Sequence, residues 1–272
     1  MCGIAGATHA DHQALMAMVG RLHHRGPDDS GIWIDERAGL GLGHARLAVI
    51  DLSPLGHQPM ASDCGRYVIA FNGEIYNFRE LRAELEAVGE TFRSHSDTEI
   101  LLCLLRREGA GALTRLAGMF AFALWDRDRR ELLLARDRFG VKPLVYAPLA
   151  GGQLAFASEI RALASYPGVD LGRDTQALSE YLALLYVPAP RTLFAGIAKL
   201  PPGSLLRWKD GAFTIERWWR PSYSGDRTMG FEQAVEEVTP LVRRAVRDRL
   251  VSDVTVGCFL SGGIDSSVIA AL

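Results

Sequence analysis

The sequence predicts an α+β protein over residues 1–200, followed by the first unit of an α/β sheet. In the first part, short strand-like runs cluster between helical segments without strict strand–helix–strand alternation, which favours separate layers of helix and sheet. Much later, the apolar run 254–260 precedes the loop SGGIDSS and a helical pattern that opens at Ser266. A strand, a glycine-rich loop and a helix in that order are the first unit of an α/β nucleotide-binding sheet.

The predicted helices of the first part have recognisable start and stop signals. A short helix is predicted over 13–22. The next follows Asn77, whose side chain is expected to cap it, with Glu80 at the spacing of a capping box. Another helix begins near Ser96 and stops at Gly109.

Strands are predicted from the apolar runs that lie between these helices. The segments 119–125 and 131–136 flank the polar sequence DRDRR and are expected to form a hairpin. The run 154–158 leads into a further helix from Glu159. The remaining predicted strands are 31–35, 42–51 and 66–71.

A change of composition at 201–228 predicts the division into domains. This segment mixes Pro, Gly and Trp and has few periodic runs. We therefore expect a first domain over 1–205, a linker over 206–230 and the beginning of a second domain over 231–272. A helical pattern returns at 231–250, where Pro240 is expected to kink or interrupt it.

Composition and charge exclude several classes of partner. The 30 basic and 32 acidic residues give a net charge of −2, which offers no electrostatic case for nucleic acid or an anionic membrane. The N-terminus lacks the pattern of a signal peptide, and no apolar run approaches the ~20 residues that span a bilayer. The four cysteines lack metal-ligand spacing, and Cys103 and Cys258 lie in apolar runs typical of core packing.

Cys2 is the first residue with potential for catalysis. Cells usually remove Met1 ahead of a small residue, which leaves a thiol and a free α-amine on the same residue. An amine with a reference pKa of about 7.7–8.0 can act as the general base for its own side chain. The position alone indicates little, because any residue can follow Met1.

Charged and polar residues elsewhere suit the substrate of such a thiol. A thiolate that attacks an amide needs donors for the developing oxyanion, and the chain offers the pair Asn72-Gly73. Arg46 suits a carboxylate, while Glu74 and Asp97 suit an ammonium. Ordinary alternatives stay open: a strand-surface charge for Arg46, a type I′ turn for Asn72-Gly73, a solvated Glu74 and a helix-start preference for Asp97.

Seven motifs follow one another in the sequence: MCGIAG, HRGPDD, GHARLAVID, FNGEIYN, SDTE, GMFAFALWD and RDRFGVKPL. Together they resemble the glutaminase domain of class II amidotransferases, and within that group glutamine-hydrolysing asparagine synthetases of the B type. The resemblance covers essentially the whole chain. It implies a four-layer αββα sandwich of the N-terminal-nucleophile hydrolases, followed by the start of an α/β ATP-pyrophosphatase domain.

The resemblance also implies roles for individual residues. Cys2 attacks the side-chain amide of glutamine and forms a thioester, so that ammonia and glutamate are released without a cofactor. Asn72 and Gly73 form the oxyanion hole, and Arg46 holds the carboxylate of the substrate. Its ammonium is held by Glu74 and Asp97, and further contacts come from the backbone of Leu47, Ala48, Val49 and Ile50.

The loop at 261–267 carries the second group of candidate residues. Glycines let backbone N–H groups approach phosphate oxygens, and a helix N-terminus favours an anion, although the lysine of a Walker A loop is missing. By itself such a loop is more often an ordinary strand-to-helix turn, in which glycine is needed only for geometry. Its resemblance to the SGG[IL]DSS loop of ATP pyrophosphatases implies ATP binding by Leu260, Ser261, Gly262, Gly263, Asp265, Ser266 and Ser267, with Mg²⁺ at Asp265.

These motifs imply a cytoplasmic, ATP-dependent ligase that passes ammonia to an adenylated aspartate carboxylate. Two alternatives stay open: another acceptor carboxylate in polysaccharide or natural-product biosynthesis, and a non-catalytic interaction domain. Because the family's synthetase domain continues far beyond the loop, we expect a truncated chain that retains at most the glutaminase half. The expected partners are glutamine, ATP and aspartate, without nucleic acid or membrane, and a homodimer is left open.

Overall fold

A computed structural model describes residues 1–223, 225 and 228–272 of the chain. Within these ranges it has twelve β-strands and seven α-helices. The strands are β1 (Gly3–Ala7), β2 (Asp29–Asp35), β3 (Leu40–Arg46), β4 (Met60–Ala61), β5 (Tyr67–Ile75), β6 (Gly118–Asp126), β7 (Glu131–Arg136), β8 (Val145–Pro148), β9 (Leu154–Ala157), β10 (Ala198–Lys199), β11 (Ser204–Lys209) and β12 (Ala212–Arg217). The helices are α1 (His12–Gly20), α2 (Phe78–Ala87), α3 (Asp97–Glu108), α4 (Ile160–Leu163), α5 (Thr175–Leu184), α6 (Phe231–Asp248) and α7 (Ile264–Ala271).

The strands form two six-stranded sheets. The first has the order β10-β8-β9-β1-β3-β2, and the second has the order β12-β11-β7-β6-β5-β4. Neighbouring strands are antiparallel in both sheets. The strand β1 lies between β9 and β3, so the N-terminus of the chain enters the middle of a sheet.

Three buried apolar clusters define the order of the layers. One lies between the first sheet and the helices α1 and α4, and it includes Leu15 and Leu163. Another lies between the two sheets and includes Leu42 and Trp125. The third lies between the second sheet and the helices α2 and α3, and it includes Phe122. Three clusters separate four layers, so the predicted αββα sandwich is confirmed.

Alternation along β6 explains how one strand serves two of these clusters. Successive side chains of a strand point to opposite faces of the sheet. Ala121, Ala123 and Trp125 therefore face the other sheet, whereas Phe120, Phe122 and Leu124 face the helices. The small residues on the inner face let the two sheets approach closely.

Several local predictions are confirmed. The helix α3 begins after Ser96, whose side chain accepts from the Thr98 N–H, and it ends at Gly109 with a φ of 58°. The hairpin β6–β7 and the strand β9 lie where the sequence predicts them. None of the described helices combines the length with the apolar composition that a bilayer crossing demands.

One prediction about the helices, the cap at Asn77, is wrong, and the helix at Pro240 is not interrupted. Asn77 precedes α2 but makes no side-chain capping bond, because its amide instead donates to the Arg115 carbonyl oxygen and accepts from the Ala117 N–H. The helix α6 continues through Pro240 rather than breaking there.

The region after residue 200 differs from the sequence prediction in two further respects. The hairpin β11–β12 extends the second sheet as far as Arg217, inside the segment assigned to a linker. The run 254–260 is not a strand, since none of the described strands pairs with it and a strand needs a neighbour. Cys103 is buried as predicted, but Cys258 is exposed in that unpaired run and packs in no core.

Candidate active site

Cys2 lies at the entrance to the first sheet, one residue before β1. Its thiol donates to the Leu47 carbonyl oxygen at 3.6 Å and accepts from the Leu47 N–H at 3.4 Å. Its own carbonyl oxygen accepts from the Nε of Arg25 at 2.9 Å. The thiol is therefore held beside the loop that follows β3.

A pocket of about 490 Å³ opens at this thiol. Its lining comes from the residues before β1, the loop after β3, the strand β5, the start of α3 and the loop between β7 and β8. Of the ten residues predicted for the glutamine site, nine line the pocket: Cys2, Arg46, Leu47, Val49, Ile50, Asn72, Gly73, Glu74 and Asp97. Ala48 is the exception, because it does not line the pocket and its N–H donates to the Asp28 carboxylate at 2.9 Å.

Asn72 and Gly73 lie in the middle of β5, so the alternative of a type I′ turn is wrong. Asn72 is fully buried, and neither its side-chain oxygen nor its side-chain nitrogen has a hydrogen-bond partner. Buried amides are almost always paired, so this one indicates a ligand that supplies the partners. A side chain at position 73 would overlap the Met119 carbonyl oxygen on β6, so glycine is required there.

Arg46, the last residue of β3, is buried and not a surface charge. Its guanidinium donates to the carbonyl oxygens of Ser53, at 3.1 Å, and of Asp51. These acceptors are neutral, and no carboxylate of the described residues lies within ion-pairing distance. The positive charge is therefore available to an anionic group in the pocket.

Glu74 and Asp97 bring two carboxyl groups to the same pocket. Burial raises the pKa of Glu74, and burial together with the negative charge of Glu74 raises the pKa of Asp97 to about 7. Asp97 also accepts from the Ile75 N–H at 2.9 Å, which ties the start of α3 to β5. Two carboxyl groups that are costly to ionise alone would be stabilised by a cation between them.

Lys142 also lines the pocket, although the sequence analysis gave it no role. It is only 3% exposed and lies in the loop between β7 and β8. Asp137 holds this loop, because its carboxylate accepts the N–H groups of Phe139, Val141 and Lys142. The motif RDRFGVKPL could have identified Lys142, because its lysine follows a tight loop.

Gln58, Ser96 and Thr98 are further lining residues that the sequence analysis missed. Gln58 accepts from the Phe71 N–H at 2.7 Å and donates to the Thr98 hydroxyl at 3.3 Å. These bonds join β5 to α3 next to Asn72. No local sequence pattern identifies such a contact.

The surroundings shift the pKa of the Cys2 thiol and the pKa of the N-terminal amine in opposite directions. Burial raises the pKa of the Cys2 thiol, while the positive charge of Lys142 acts to lower it. Burial lowers the pKa of the α-amino group, which belongs to Met1 here, and Lys142 and Arg25 lower it further. Burial therefore disfavours both charged forms, the thiolate and the ammonium, whereas the positive charge of Lys142 favours the thiolate.

The second predicted group, at 260–267, lies apart from this pocket and is largely exposed. Gly262 has a φ of 80°, and α7 begins at Ile264, two residues before the predicted start. The hydroxyls of Ser261, Ser266 and Ser267 bond within the loop. In the described ranges no cluster of three or more His, Cys, Asp or Glu residues is arranged to hold a metal, so Asp265 belongs to no such cluster.

Comparisons with known proteins agree with this arrangement. The family described as glutamine amidotransferase domain matches residues 1–219, and the family described as asparagine synthase matches residues 237–272. Asparagine synthetase [glutamine-hydrolyzing] 1 of Bacillus subtilis is 40% identical over 281 residues, which cover 100% of this chain and 44% of the relative. A putative asparagine synthetase [glutamine-hydrolyzing] of Mycobacterium bovis is 43% identical over 288 residues, which cover 99% of this chain and 44% of the relative. The chain thus spans less than half the length of these relatives.

Solved structures share the fold. Glutamine phosphoribosylpyrophosphate amidotransferase from B. subtilis, complexed with ADP and GMP, superposes with a TM-score of 0.60 at 22% identity, covering 81% of this chain and 50% of that one. The structure of the allosteric regulatory enzyme of purine biosynthesis has a TM-score of 0.62 at 22% identity, with the same coverage. The resemblance inferred from the seven motifs is confirmed, and over residues 1–219 the chain belongs to the glutamine amidotransferase domain family.

Proposed function

We propose that the pocket at Cys2 hydrolyses the side-chain amide of glutamine to glutamate and ammonia. The observation that carries the proposal is the unpartnered, fully buried amide of Asn72 in a pocket that also holds a thiol, a guanidinium and two carboxyl groups. Each group matches one part of glutamine. Arg46 suits the α-carboxylate, Glu74 and Asp97 suit the ammonium, and the Asn72 amide with the Gly73 N–H suits the oxyanion.

In the proposed reaction the Cys2 sulfur attacks the amide carbon while the α-amine of Cys2 takes the thiol proton. The amine then passes this proton to the departing nitrogen, and ammonia leaves as the thioester forms. A water molecule, deprotonated by the same amine, attacks the thioester. Glutamate leaves, and the thiol regains its proton. Removal of Met1 is required, because only then does Cys2 carry the free amine.

We further propose that the whole protein delivers this ammonia to an ATP-activated carboxylate, that of aspartate, in the cytoplasm. The asparagine synthase match at 237–272 and the names of the relatives support this half. The loop residues Ser261, Gly262, Gly263, Ser266 and Ser267 suit the pyrophosphate of ATP, since the backbone is open and hydroxyls are at hand. When bound, ATP would supply the AMP group that activates the acceptor carboxylate. Asp265 would hold Mg²⁺ together with the phosphates.

The glutaminase proposal is tested by measuring glutamate release from glutamine with the wild-type protein and with Cys2→Ala. Release by the wild type that vanishes in Cys2→Ala is expected, and Cys64→Ala serves as the control because Cys64 is exposed and outside the pocket. Equal release from the wild type and Cys2→Ala would overturn the mechanism. Mass spectrometry of the purified protein should show that Met1 has been removed.

The synthetase proposal is tested on the full product of the gene. We expect asparagine to form from aspartate, ATP and glutamine, and Asp265→Ala to abolish this without reducing glutamate release. Asparagine formation at the wild-type rate by Asp265→Ala would contradict the assignment of the loop.

A further inference from the structure

The chain that leaves α6 returns to the glutamine pocket. We call residues 249–253 the docking segment. The guanidinium of Arg249 lies 5.3 Å from the centre of the Tyr76 ring, just beyond the end of β5. Val251 packs against the apolar cluster between the second sheet and the helices α2 and α3, and Ile50 packs against the same cluster. The docking segment therefore lies beside the end of β5, one of the elements that line the pocket.

Asp253 makes the most specific of these contacts. Its backbone N–H donates to the Val49 carbonyl oxygen at 2.9 Å, and its carboxylate accepts from the Asp51 N–H at 2.7 Å. The two bonds flank Ile50, so one residue fixes both sides of the loop that lines the pocket. A bond from a backbone N–H to a carboxylate is among the stronger hydrogen bonds in proteins.

Asp51 connects this contact to the guanidinium of Arg46. The carbonyl oxygen of Asp51 accepts from Arg46, and its carboxylate accepts the N–H groups of Ser53 and His95, at 3.0 Å and 2.8 Å. Asp51 has a φ of 55°, which is unfavourable for a residue with a side chain and has to be maintained by surrounding bonds. The bond from Asp253 to the Asp51 N–H is one of those that hold it.

We propose that Asp253 is a positioning residue that fixes the loop 49–51 and, through the Asp51 carbonyl oxygen, the Arg46 guanidinium in its glutamine-binding position. The inference rests on the proposed role of the pocket. It means that a segment outside the amidotransferase match, which ends at residue 219, controls the affinity for glutamine. Displacement of the docking segment weakens glutamine binding, whereas the thiol and the oxyanion donors stay in place because β1 and β5 hold them.

The experiment compares Asp253→Ala and Asp253→Asn with the wild type, and Glu236→Ala serves as a control on the exposed surface of α6. Two readouts are measured in the full chain. Hydrogen exchange of a peptide that covers 47–53 reports the bond to the Asp51 N–H. Steady-state kinetics of glutamate release separate KM from kcat.

For Asp253→Ala we expect faster exchange at 47–53 and a KM for glutamine about tenfold higher, in line with the loss of one charge-assisted hydrogen bond, at an unchanged kcat. Asp253→Asn keeps an accepting oxygen, so its exchange rate and its KM should lie between those of the wild type and those of Asp253→Ala. Unchanged exchange in Asp253→Ala would overturn the inference whether or not the protein hydrolyses glutamine. Faster exchange with an unchanged KM would overturn the link to Arg46, while absence of glutamate release by the wild type would overturn the proposed function instead.

Discussion

The Nε2 of His44 donates to the Phe71 carbonyl oxygen at 2.9 Å and so joins the two sheets directly. His44 lies on β3 and Phe71 on β5, immediately before Asn72. Since a carbonyl oxygen only accepts, Nε2 carries the hydrogen of this bond. The buried Nδ1 has no partner, and burial lowers the pKa of His44 to about 4.

His44 should make the free energy of unfolding depend on pH. Its folded pKa is below the unfolded value of 6.5, so the unfolded state binds more protons between these two values and stability falls as pH falls through that window. From pH 7 to pH 5 this loss amounts to roughly 2 kcal/mol, at about 1.4 kcal/mol per unit below 6.5. Urea unfolding at both pH values measures it. In His44→Gln the free energy of unfolding should fall by about 2 kcal/mol less between pH 7 and pH 5 than in the wild type. In His12→Gln, an exposed control, it should fall as much as in the wild type. An equal loss in wild type and His44→Gln would contradict the prediction.

Asp97 should make glutamine binding depend on pH. The ammonium of glutamine favours the ionised carboxylate, whose pKa is about 7 in the empty pocket, so KM should be about tenfold higher at pH 6 than at pH 8. Asp97→Asn keeps the acceptor for the Ile75 N–H but loses the charge. We expect a high KM that varies little over this range in Asp97→Asn, measured by initial rates of glutamate release. Asp63→Asn, on the surface, should behave as the wild type, and a wild-type pH profile in Asp97→Asn would refute the assignment.

Lys142 should set the pH at which the thiol and the amine become active. Its positive charge acts to lower the pKa of both groups, so its removal raises both. In Lys142→Met the acidic limb of the kcat profile should therefore move to higher pH by up to about one unit, with kcat reduced by up to about tenfold at pH 7 and closer to that of the wild type at pH 9. The matched control is Lys209→Met, which removes an exposed charge far from the pocket. A uniform loss of kcat at every pH would point to a purely structural role.

Gly56 should control the position of Arg46. A Cβ at position 56 would overlap the Arg46 guanidinium, which is the movable end of a long side chain. In Gly56→Ala we expect KM for glutamine to rise at least about tenfold while the free energy of unfolding changes by less than about 1 kcal/mol. Gly20→Ala is the control, because a Cβ there meets no atom within 4 Å. A normal KM in Gly56→Ala would mean that Arg46 does not hold the substrate.

The helices show where sequence signals are sufficient and where they are not. The helix α3 begins next to Ser96 as predicted, and Ser96 caps it because its partner, the Thr98 N–H, is two residues away and the bond is local. Asn77 carries the same signal, but its amide binds Arg115 and Ala117, about 40 residues later in the chain. Whether such a side chain makes the capping bond or a distant bond depends on tertiary contacts. A local sequence pattern carries no information about those contacts.

The sheets give a similar contrast. The missed hairpin β11–β12 turns at Asp210-Gly211, with φ values of 49° and 83°, and an Asp-Gly pair between apolar runs is a strong hairpin signal. That element was predictable. The run 254–260 has the composition of a buried strand, but composition does not supply a neighbouring strand.

For the candidate site, the residue types were predictable and their assembly was not. Asn72-Gly73 is equally suited to a turn in the sequence, and only its pairing with Ala121 and Phe120 makes it part of a strand. Lys142 and Gln58 reach the pocket from loops that no spacing rule connects to Cys2. The resemblance of the ordered motifs to a known family still allowed most of the pocket residues to be predicted. Such a resemblance implies a tertiary arrangement, which single residues do not.

The central position of β1 has a practical consequence for producing the protein. Pairing with β3 holds this strand from Gly3 onward, and pairing with β9 holds it from Ala5 onward. Cys2 is therefore too restrained to move an added peptide out of the pocket. An affinity tag at the N-terminus would occupy the substrate cavity and acylate the amine that the proposed chemistry needs. Expression plasmids should therefore place the purification handle at the other end of the chain.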